Sequence, residues 1–128
     1  KILGIMVLGL LLSGNAYAKC IKGDCENGVG ESAWSDGAKY SGNYLKGKRS
    51  GQGKYLFENG DLYEGSFLKG KLHGQGKYIW SDGDYYEGGY RKGKKHGYGK
   101  FVGKKKIMDG NWRKDKFLGT ITTNLSTS

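Results

Sequence analysis

Residues 63–85 read YEGSFLKGKLHGQGKYIWSDGDY, and the flanking chain repeats them almost column by column. Tyr63-Glu64-Gly65 is preceded by Tyr40-Ser41-Gly42 and followed by Tyr86-Glu87-Gly88, a step of 23 residues each time. Gly74-Gln75-Gly76-Lys77-Tyr78 has counterparts in Gly51-Gln52-Gly53-Lys54-Tyr55 and Gly97-Tyr98-Gly99-Lys100-Phe101. Gly47, Gly70 and Gly93 keep the same step, as do Gly37, Gly60 and Gly83. A degenerate half-unit with Gly28, Gly30 and Trp34 precedes these, and Met108-Asp109-Gly110-Asn111-Trp112 with Gly119 follows, one residue early. Self-similarity at a fixed period of this length marks a repeat architecture.

Inside each unit the pattern has period two. Tyr40, Gly42 and Tyr44 alternate with Ser41 and Asn43, and Gly51, Gly53, Tyr55 and Phe57 alternate with Gln52 and Lys54. Period two means extended strands with one apolar face. Lys46–Ser50 and Glu58–Asp61 carry the Gly, Asn and Asp that turns need. The expected fold is all-β: an elongated single-sheet ribbon of tandem antiparallel β-hairpins. The expected units are a degenerate first repeat or cap over 19–39, full repeats over 40–62, 63–85 and 86–107, and a partial repeat or cap over 108–121. A polar tail over 122–128 is expected to be disordered.

Strand alternation puts Trp34, Tyr40, Tyr44, Tyr55, Phe57, Tyr63, Phe67, Tyr78, Trp80, Tyr86, Tyr90, Phe101 and Trp112 on the glycine-bearing face. Of the aromatics after Ala18, only Tyr85, Tyr98 and Phe117 fall outside it. A ring needs a flat spot beside it, which glycine supplies by lacking Cβ. Each ring laid over neighbouring backbone removes roughly 150 Å² from water, worth about 3–4 kcal/mol before ordering costs. A lone hairpin cannot retain this gain, whereas three or more stacked units can.

The Tyr-x-Gly-x-Tyr/Phe, Gly-x-x-x-Gly-x-Gly and Asn/Asp-Gly columns resemble the MORN (membrane occupation and recognition nexus) repeat over residues 40–112, and partially over 28–39. The resemblance implies an elongated twisted ribbon, often with a groove along its concave face. It implies no activity of the repeats themselves. Three departures stand out: the third repeat loses a residue around Gly103–Lys106, Asp115 stands where Gly93 stood, and Ile121 replaces the second glycine of the Gly-x-Gly pair. An aliphatic side chain filling a glycine hole looks like an end cap.

Lys1 followed by the apolar run Ile2–Leu12 and then Ser13-Gly14-Asn15-Ala16-Tyr17-Ala18 has the three parts of a secretory signal peptide, with cleavage expected after Ala18. As a helix the apolar run covers only about half the ~30 Å hydrocarbon thickness, which disfavours a membrane span. Lys19 stands where a lipoprotein signal wants a small residue, so a lipid anchor on Cys20 is not expected. Export to the periplasm or the outside, in soluble or membrane-peripheral form, is the expectation. Twenty-five glycines without a three-residue period exclude collagen, and the aromatic content argues against plain disorder.

Cys20 and Cys25 flank a turn-like tetrapeptide. A disulfide is the natural reading in an oxidising compartment, stabilising so small a loop by about 2 kcal/mol at most. Metal binding is the rival, but two thiols without a third ligand make a poor zinc site. His73 and His96 share one turn position in adjacent units, roughly 9.5 Å apart by strand spacing, too far to share a metal. Their plain reading is a solvated turn residue. No serine or cysteine sits in a nucleophile–base arrangement, and the Gly-x-Gly pairs lie inside strands rather than before a helix. Neither catalysis nor a cofactor or metal is expected.

The net charge is +10, and its distribution is periodic. One turn of every hairpin is basic: Lys46, Lys48 and Arg49; Lys69 and Lys71; Arg91, Lys92, Lys94 and Lys95; Arg113, Lys114 and Lys116. The opposite turns and strand starts are acidic: Asp36; Glu58, Asp61 and Glu64; Asp82, Asp84 and Glu87; Asp109, interrupted by Lys104–Lys106. Stacking then gives a ribbon with one positive and one negative edge, like charges reinforcing one another within a Debye length. Two readings of the basic edge stay open: an anionic-surface site for lipid or lipopolysaccharide, or turns charged for solubility and against edge association. Two functions follow. One is an interaction scaffold that binds protein partners along the Tyr40–Trp112 aromatic groove, with self-association through end strands as a variant. The other is a peripheral binder of anionic envelope surfaces. Nucleic acid is not an expected partner.

Overall fold

Four two-residue turns, Lys46-Gly47, Lys69-Gly70, Lys92-Gly93 and Lys114-Asp115, set the geometry of the molecule. Both residues of each turn have positive φ (52° and 74°, 49° and 80°, 50° and 84°, 47° and 70°). That is the type I′ combination, whose twist matches that of the strands it joins. The turns are shorter than the expected Lys46–Ser50, because Lys48 already begins a strand. Asp115 takes over the left-handed position of Gly93, which Asp tolerates better than most side chains.

The computed structural model describes residues 17–120. The strands are β1 (Ala18–Gly23), β2 (Val29–Trp34), β3 (Lys39–Leu45), β4 (Lys48–Leu56), β5 (Leu62–Leu68), β6 (Lys71–Ile79), β7 (Tyr85–Arg91), β8 (Lys94–Val102), β9 (Ile107–Arg113) and β10 (Lys116–Gly119). They form one ten-stranded sheet in strict chain order, antiparallel throughout. The all-β ribbon of tandem hairpins is therefore the fold. Most of the segment expected to be a signal peptide, the polar tail and Ile121 lie outside the described residues.

The repeats are stitched together at the tight turns. The second turn residue donates its N–H to a carbonyl of the preceding unit: Gly47 to Glu26 (3.0 Å), Gly70 to Arg49 (3.0 Å), Gly93 to Leu72 (2.8 Å) and Asp115 to Lys95 (3.0 Å). Side chains add to this, Asn27 Oδ1 accepting from Lys46 N (3.0 Å) and His73 Nδ1 from Lys92 N (3.2 Å). His73 thus lies half-buried within β6 and ties two units together, which corrects its reading as a solvated turn residue.

The wider turns close by paired backbone bonds, Phe57 N to Asp61 O (2.8 Å) and Trp80 N to Asp84 O (2.9 Å). In the third repeat the closure is shorter, Gly103 N to Lys106 O (2.9 Å), where the missing residue was expected. Period two holds across the sheet but is interrupted near the tight turns. Register shifts between Gly42 and Tyr44, Gly65 and Phe67, and Gly88 and Tyr90 leave extra residues on β4, β6 and β8. Gly51, Gly74 and Gly97 have positive φ inside these bulges.

A file of glycine, Gly23–Gly30–Gly42–Gly53–Gly65–Gly76–Gly88–Gly99–Gly110, crosses the sheet with each member opposite the next. The rings of Tyr40, Tyr63 and Tyr86 lie flat on Gly53, Gly76 and Gly99, whose missing Cβ atoms would fall on the rings. Each of these tyrosines is at most 1% exposed. Each donates its hydroxyl to a carbonyl three residues on: Asn43 (2.7 Å), Ser66 (2.8 Å) and Gly89 (2.9 Å). Burial pushes all three phenols up to about 12, so they stay protonated as donors at any physiological pH. The core of this single-layer protein is this ring face.

Candidate functional site

The ring face contains two rows. An inner row runs Tyr44–Tyr40–Phe67–Tyr63–Tyr90–Tyr86–Trp112 with centroids 5.1–5.4 Å apart and planes at 82–88°. This is the edge-to-face geometry that ring quadrupoles favour. All seven are buried. An outer row, Trp34–Tyr55–Phe57–Tyr78–Trp80–Phe101, is equally continuous, with centroids 4.6–5.5 Å apart and planes at 46–70°. These six remain only half-buried.

The expected aromatic groove therefore divides. Tyr40, Tyr44, Tyr63, Phe67, Tyr86, Tyr90 and Trp112 form the core and offer a partner nothing, whereas Tyr55, Phe57, Tyr78, Trp80 and Phe101 reach solvent. Tyr44 closes the inner row at the first unit through a 2.6 Å hydrogen bond with the buried Ser32 hydroxyl. Beside it the Cys20–Cys25 disulfide joins β1 to the β1–β2 connection, as the cysteine spacing suggested.

A column of unlike residues covers the inner row from the turn side. Arg49, Leu72, Lys95 and Phe117 lie opposite Tyr44, Phe67, Tyr90 and Trp112. Arg49 stacks 4.8 Å from the Tyr55 centroid, 5.6 Å from Phe67 and 5.7 Å from Trp34, and donates to Gly70 O at 2.7 Å. Lys95 lies 5.4–5.7 Å from Trp80, Tyr86 and Trp112 and pairs with Asp115 at 3.8 Å. Phe117 packs at 5.0 Å on Trp112 and belongs to the ring face, contrary to its expected exclusion. Arg49→Ala is expected to cost about 1–3 kcal/mol, the sum of a desolvated cation–π stack and a charged hydrogen bond. Arg49→Lys should recover only part of this, because ammonium lacks the planar fork. Urea unfolding of the three proteins measures it.

The basic edge is correspondingly narrower than expected. Lys46, Lys48, Lys69, Lys71, Arg91, Lys92, Lys94, Arg113, Lys114 and Lys116 are exposed along the tight turns, but Arg49 and Lys95 fold inward. Arg91, Lys92, Lys94, His96 and Lys114 surround one hollow of about 530 Å³ on this edge.

The acidic edge needs a larger correction. Asp61 is 5% exposed and accepts from the Tyr78 hydroxyl (2.6 Å), Ser81 N (2.8 Å) and Asn59 Nδ2 (3.3 Å). Asp36 and Asp82 cap their own loops at Ala38 N and Asp84 N, both at 3.0 Å. Glu64, Glu87 and Asp109 stand in mid-strand on the back of the sheet. There they alternate in register with lysine: Lys54–Glu64–Lys77–Glu87–Lys100–Asp109. A second back-face file runs beside it, Leu56–Leu62–Ile79–Tyr85–Val102–Ile107, apolar from β4 to β9. Sequence reasoning missed this file, although alternation from Lys54 and Glu64 leads directly to Leu56 and Leu62.

Among the described residues no group of three or more His, Cys, Asp and Glu side chains is arranged to hold a metal ion. Among them, too, no helix is long and apolar enough to cross a membrane, which does not bear on strand-built spans. Repeating hairpins, a glycine file and laddered rings define an open-sheet tandem-repeat protein. The model of the MORN repeat matches residues 40–62, 63–85 and 86–106, together more than half of the chain. The chain belongs to the MORN repeat family. A search of curated proteins gives no match. Proteins of this family commonly act through protein or membrane binding.

Proposed function

We propose that this chain is a non-catalytic interaction scaffold, working after export, that seats a protein partner along the outer row of rings. One observation carries the reading: Trp34, Tyr55, Phe57, Tyr78, Trp80 and Phe101 form an unbroken half-exposed strip across three repeats. Rigid rings add apolar contact at small entropic cost, and clustered aromatics are what energetic centres of interfaces consist of. Arg49 and Lys95 stack against rings of the strip and hold its turn-side border in place. Export is supported by the signal-like segment before Lys19 and suits the Cys20–Cys25 disulfide.

The test places a photo-crosslinking phenylalanine analogue at Phe101, on the strip, or at Tyr98, on the back of the sheet, in the producing cell. Discrete protein adducts from position 101, lost on Trp80→Ala and Phe57→Ala, are the expected result. Equal adducts to a different protein from both positions, or none from position 101, reject the reading; an adduct of position 98 to a second copy of the chain does not count as one.

A second reading rests on the basic edge, where ten exposed cations follow the tight turns and five basic side chains surround one hollow. This edge suits anionic lipid or lipopolysaccharide. Sedimentation with anionic and zwitterionic liposomes across a salt series tests it, against a variant with Lys46, Lys48, Lys69, Lys71, Lys92 and Lys94 changed to Gln. Salt-sensitive binding to anionic vesicles alone, lost in the variant, supports the edge; no binding at low salt removes it.

A further inference from the structure

The back of the sheet, which the ring-face reading leaves unused, has a pattern that complements itself. From β4 to β9 the charged file reads plus, minus, plus, minus, plus, minus: Lys54, Glu64, Lys77, Glu87, Lys100, Asp109. An even, strictly alternating row turned end for end puts each charge opposite its contrary. Apart from the Lys77 ammonium, 4.6 Å over the Tyr85 ring, the apolar file beside it has no covering layer among the described residues. Leu56 and Ile107 at its ends are 38% and 62% exposed, and Leu62, Ile79, Tyr85 and Val102 between them are half-buried.

We infer that the occupant of this face is a second copy of the chain, related by a two-fold axis parallel to the strands and passing between β6 and β7. Such an axis reverses the strand order and leaves each file at its own height. It sets Lys77 against Glu87 of the other copy, Glu64 against Lys100, and Lys54 against Asp109. In the apolar file it sets Ile79 against Tyr85, Leu62 against Val102, and Leu56 against Ile107. Shape agrees at the ends. The protruding Ile107 meets the end that carries a hollow of about 410 Å³ bordered by Leu56, Leu62, Lys54 and Lys39. Because each sheet is twisted, the strands of the two copies align at the axis and diverge away from it, so the central strands carry the contact.

Magnitudes decide what kind of dimer this is. Six strands at about 4.8 Å give a patch roughly 24 Å long, and two or three files make it about 15–20 Å wide. That is on the order of 500 Å² per copy, the small end for specific contacts, so association is weak and concentration-dependent. The basic turn edges of both copies come to the same side. The sheets lie about 10 Å apart, beyond the ~8 Å screening length at physiological salt, which keeps that repulsion small.

Sedimentation equilibrium of the purified protein at about 150 mM salt, from micromolar to near-millimolar concentration, tests the inference. The mass of the wild-type protein should rise from the monomer value towards twice that value. Lys77→Glu alone and Glu87→Lys alone each place two like-charge pairs in the interface, and each should weaken self-association at least tenfold. Mixing the two variants restores opposite charges at both contacts, and the mixture should associate like the wild type. Any effect of either substitution on its own sheet is present before mixing and cannot be repaired by it. Three outcomes overturn the inference: a wild-type monomer at every concentration, a mixture no better than its components, or self-association untouched by both single changes. The last would indicate pairing through the end strands β1 and β10.

Discussion

Gly76→Ala should lower the stability of the sheet by about 2–3 kcal/mol, a loss expected for overpacking a site with no room to give. The reason is the position of the Tyr63 ring. The added Cβ would fall on the Tyr63 phenol. That ring cannot swing aside, because Phe67 and Tyr90 hold it edge-on at 5.1 and 5.4 Å and its hydroxyl is bonded to Ser66 O. For a domain of this size the melting temperature should drop by about 10 °C or more. Tyr63→Ala removes a fully buried ring and should cost about 3–5 kcal/mol alone. In the double variant the two costs should not add. Once the ring is gone the methyl group introduced at position 76 fits, so the pair should fall short of the sum by about 2 kcal/mol. Thermal or urea unfolding of the four proteins measures the cycle. Strict additivity would mean that ring and glycine are independent and that the face is not built by their contact.

The second large effect concerns Asp61. Burial pushes its carboxyl up, but hydrogen bonds from Tyr78, Ser81 N and Asn59 outweigh that and hold it below its ordinary value of 3.8. A carboxyl that titrates lower folded than unfolded contributes stability that is complete above the unfolded value. It is lost as pH falls through the folded one. Asp61→Asn should therefore cost about 1–3 kcal/mol at pH 7. The gap between wild type and variant should close as pH is lowered from about 5 to below 3.8. Chemical unfolding at a series of pH values checks both statements. A gap that stays constant into acid would show that shape, not charge, holds the Tyr78–Asp61–Ser81 link between the first two full repeats.

Much of this was legible in the chain because two of its signals are direct. The 23-residue step and the period-two alternation together specify hairpins, their order and the ring-bearing face, and the cysteine spacing indicated the disulfide. Where the reading failed, the residues share a place without sharing a chemistry. Arg49, Leu72, Lys95 and Phe117 form one column, yet a guanidinium, an isobutyl group, an ammonium and a ring have no common signature. Only their shared position opposite Tyr44, Phe67, Tyr90 and Trp112 unites them. Phe117 was further displaced by the residue missing near Gly103. Asp61 was assigned to an acidic edge because its neighbours in sequence are charged. Its burial depends on Tyr78 and Ser81 of the next unit, and the matching position one repeat earlier is Ala38, also buried. The tight turns were drawn too long because Lys-Gly is not among the pairs that announce a left-handed turn, as Asn-Gly does.

Strand order here is chain order, and every strand from β2 to β9 is paired with the strands immediately before and after it. A growing chain of this kind never waits for a distant segment. Each new hairpin finds its docking edge already formed and adds to it, as links are added to a zip. Contacts so local in sequence favour rapid assembly for a protein made wholly of strands, a class that otherwise folds slowly. The same arrangement bears on descent. Gaining or losing one whole unit leaves every remaining junction unaltered, since the turn-to-turn bonds from Gly70 to Arg49 and from Gly93 to Leu72 are the same joint made twice. The molecule can change length by a ratchet of whole units while the joint itself stays the same.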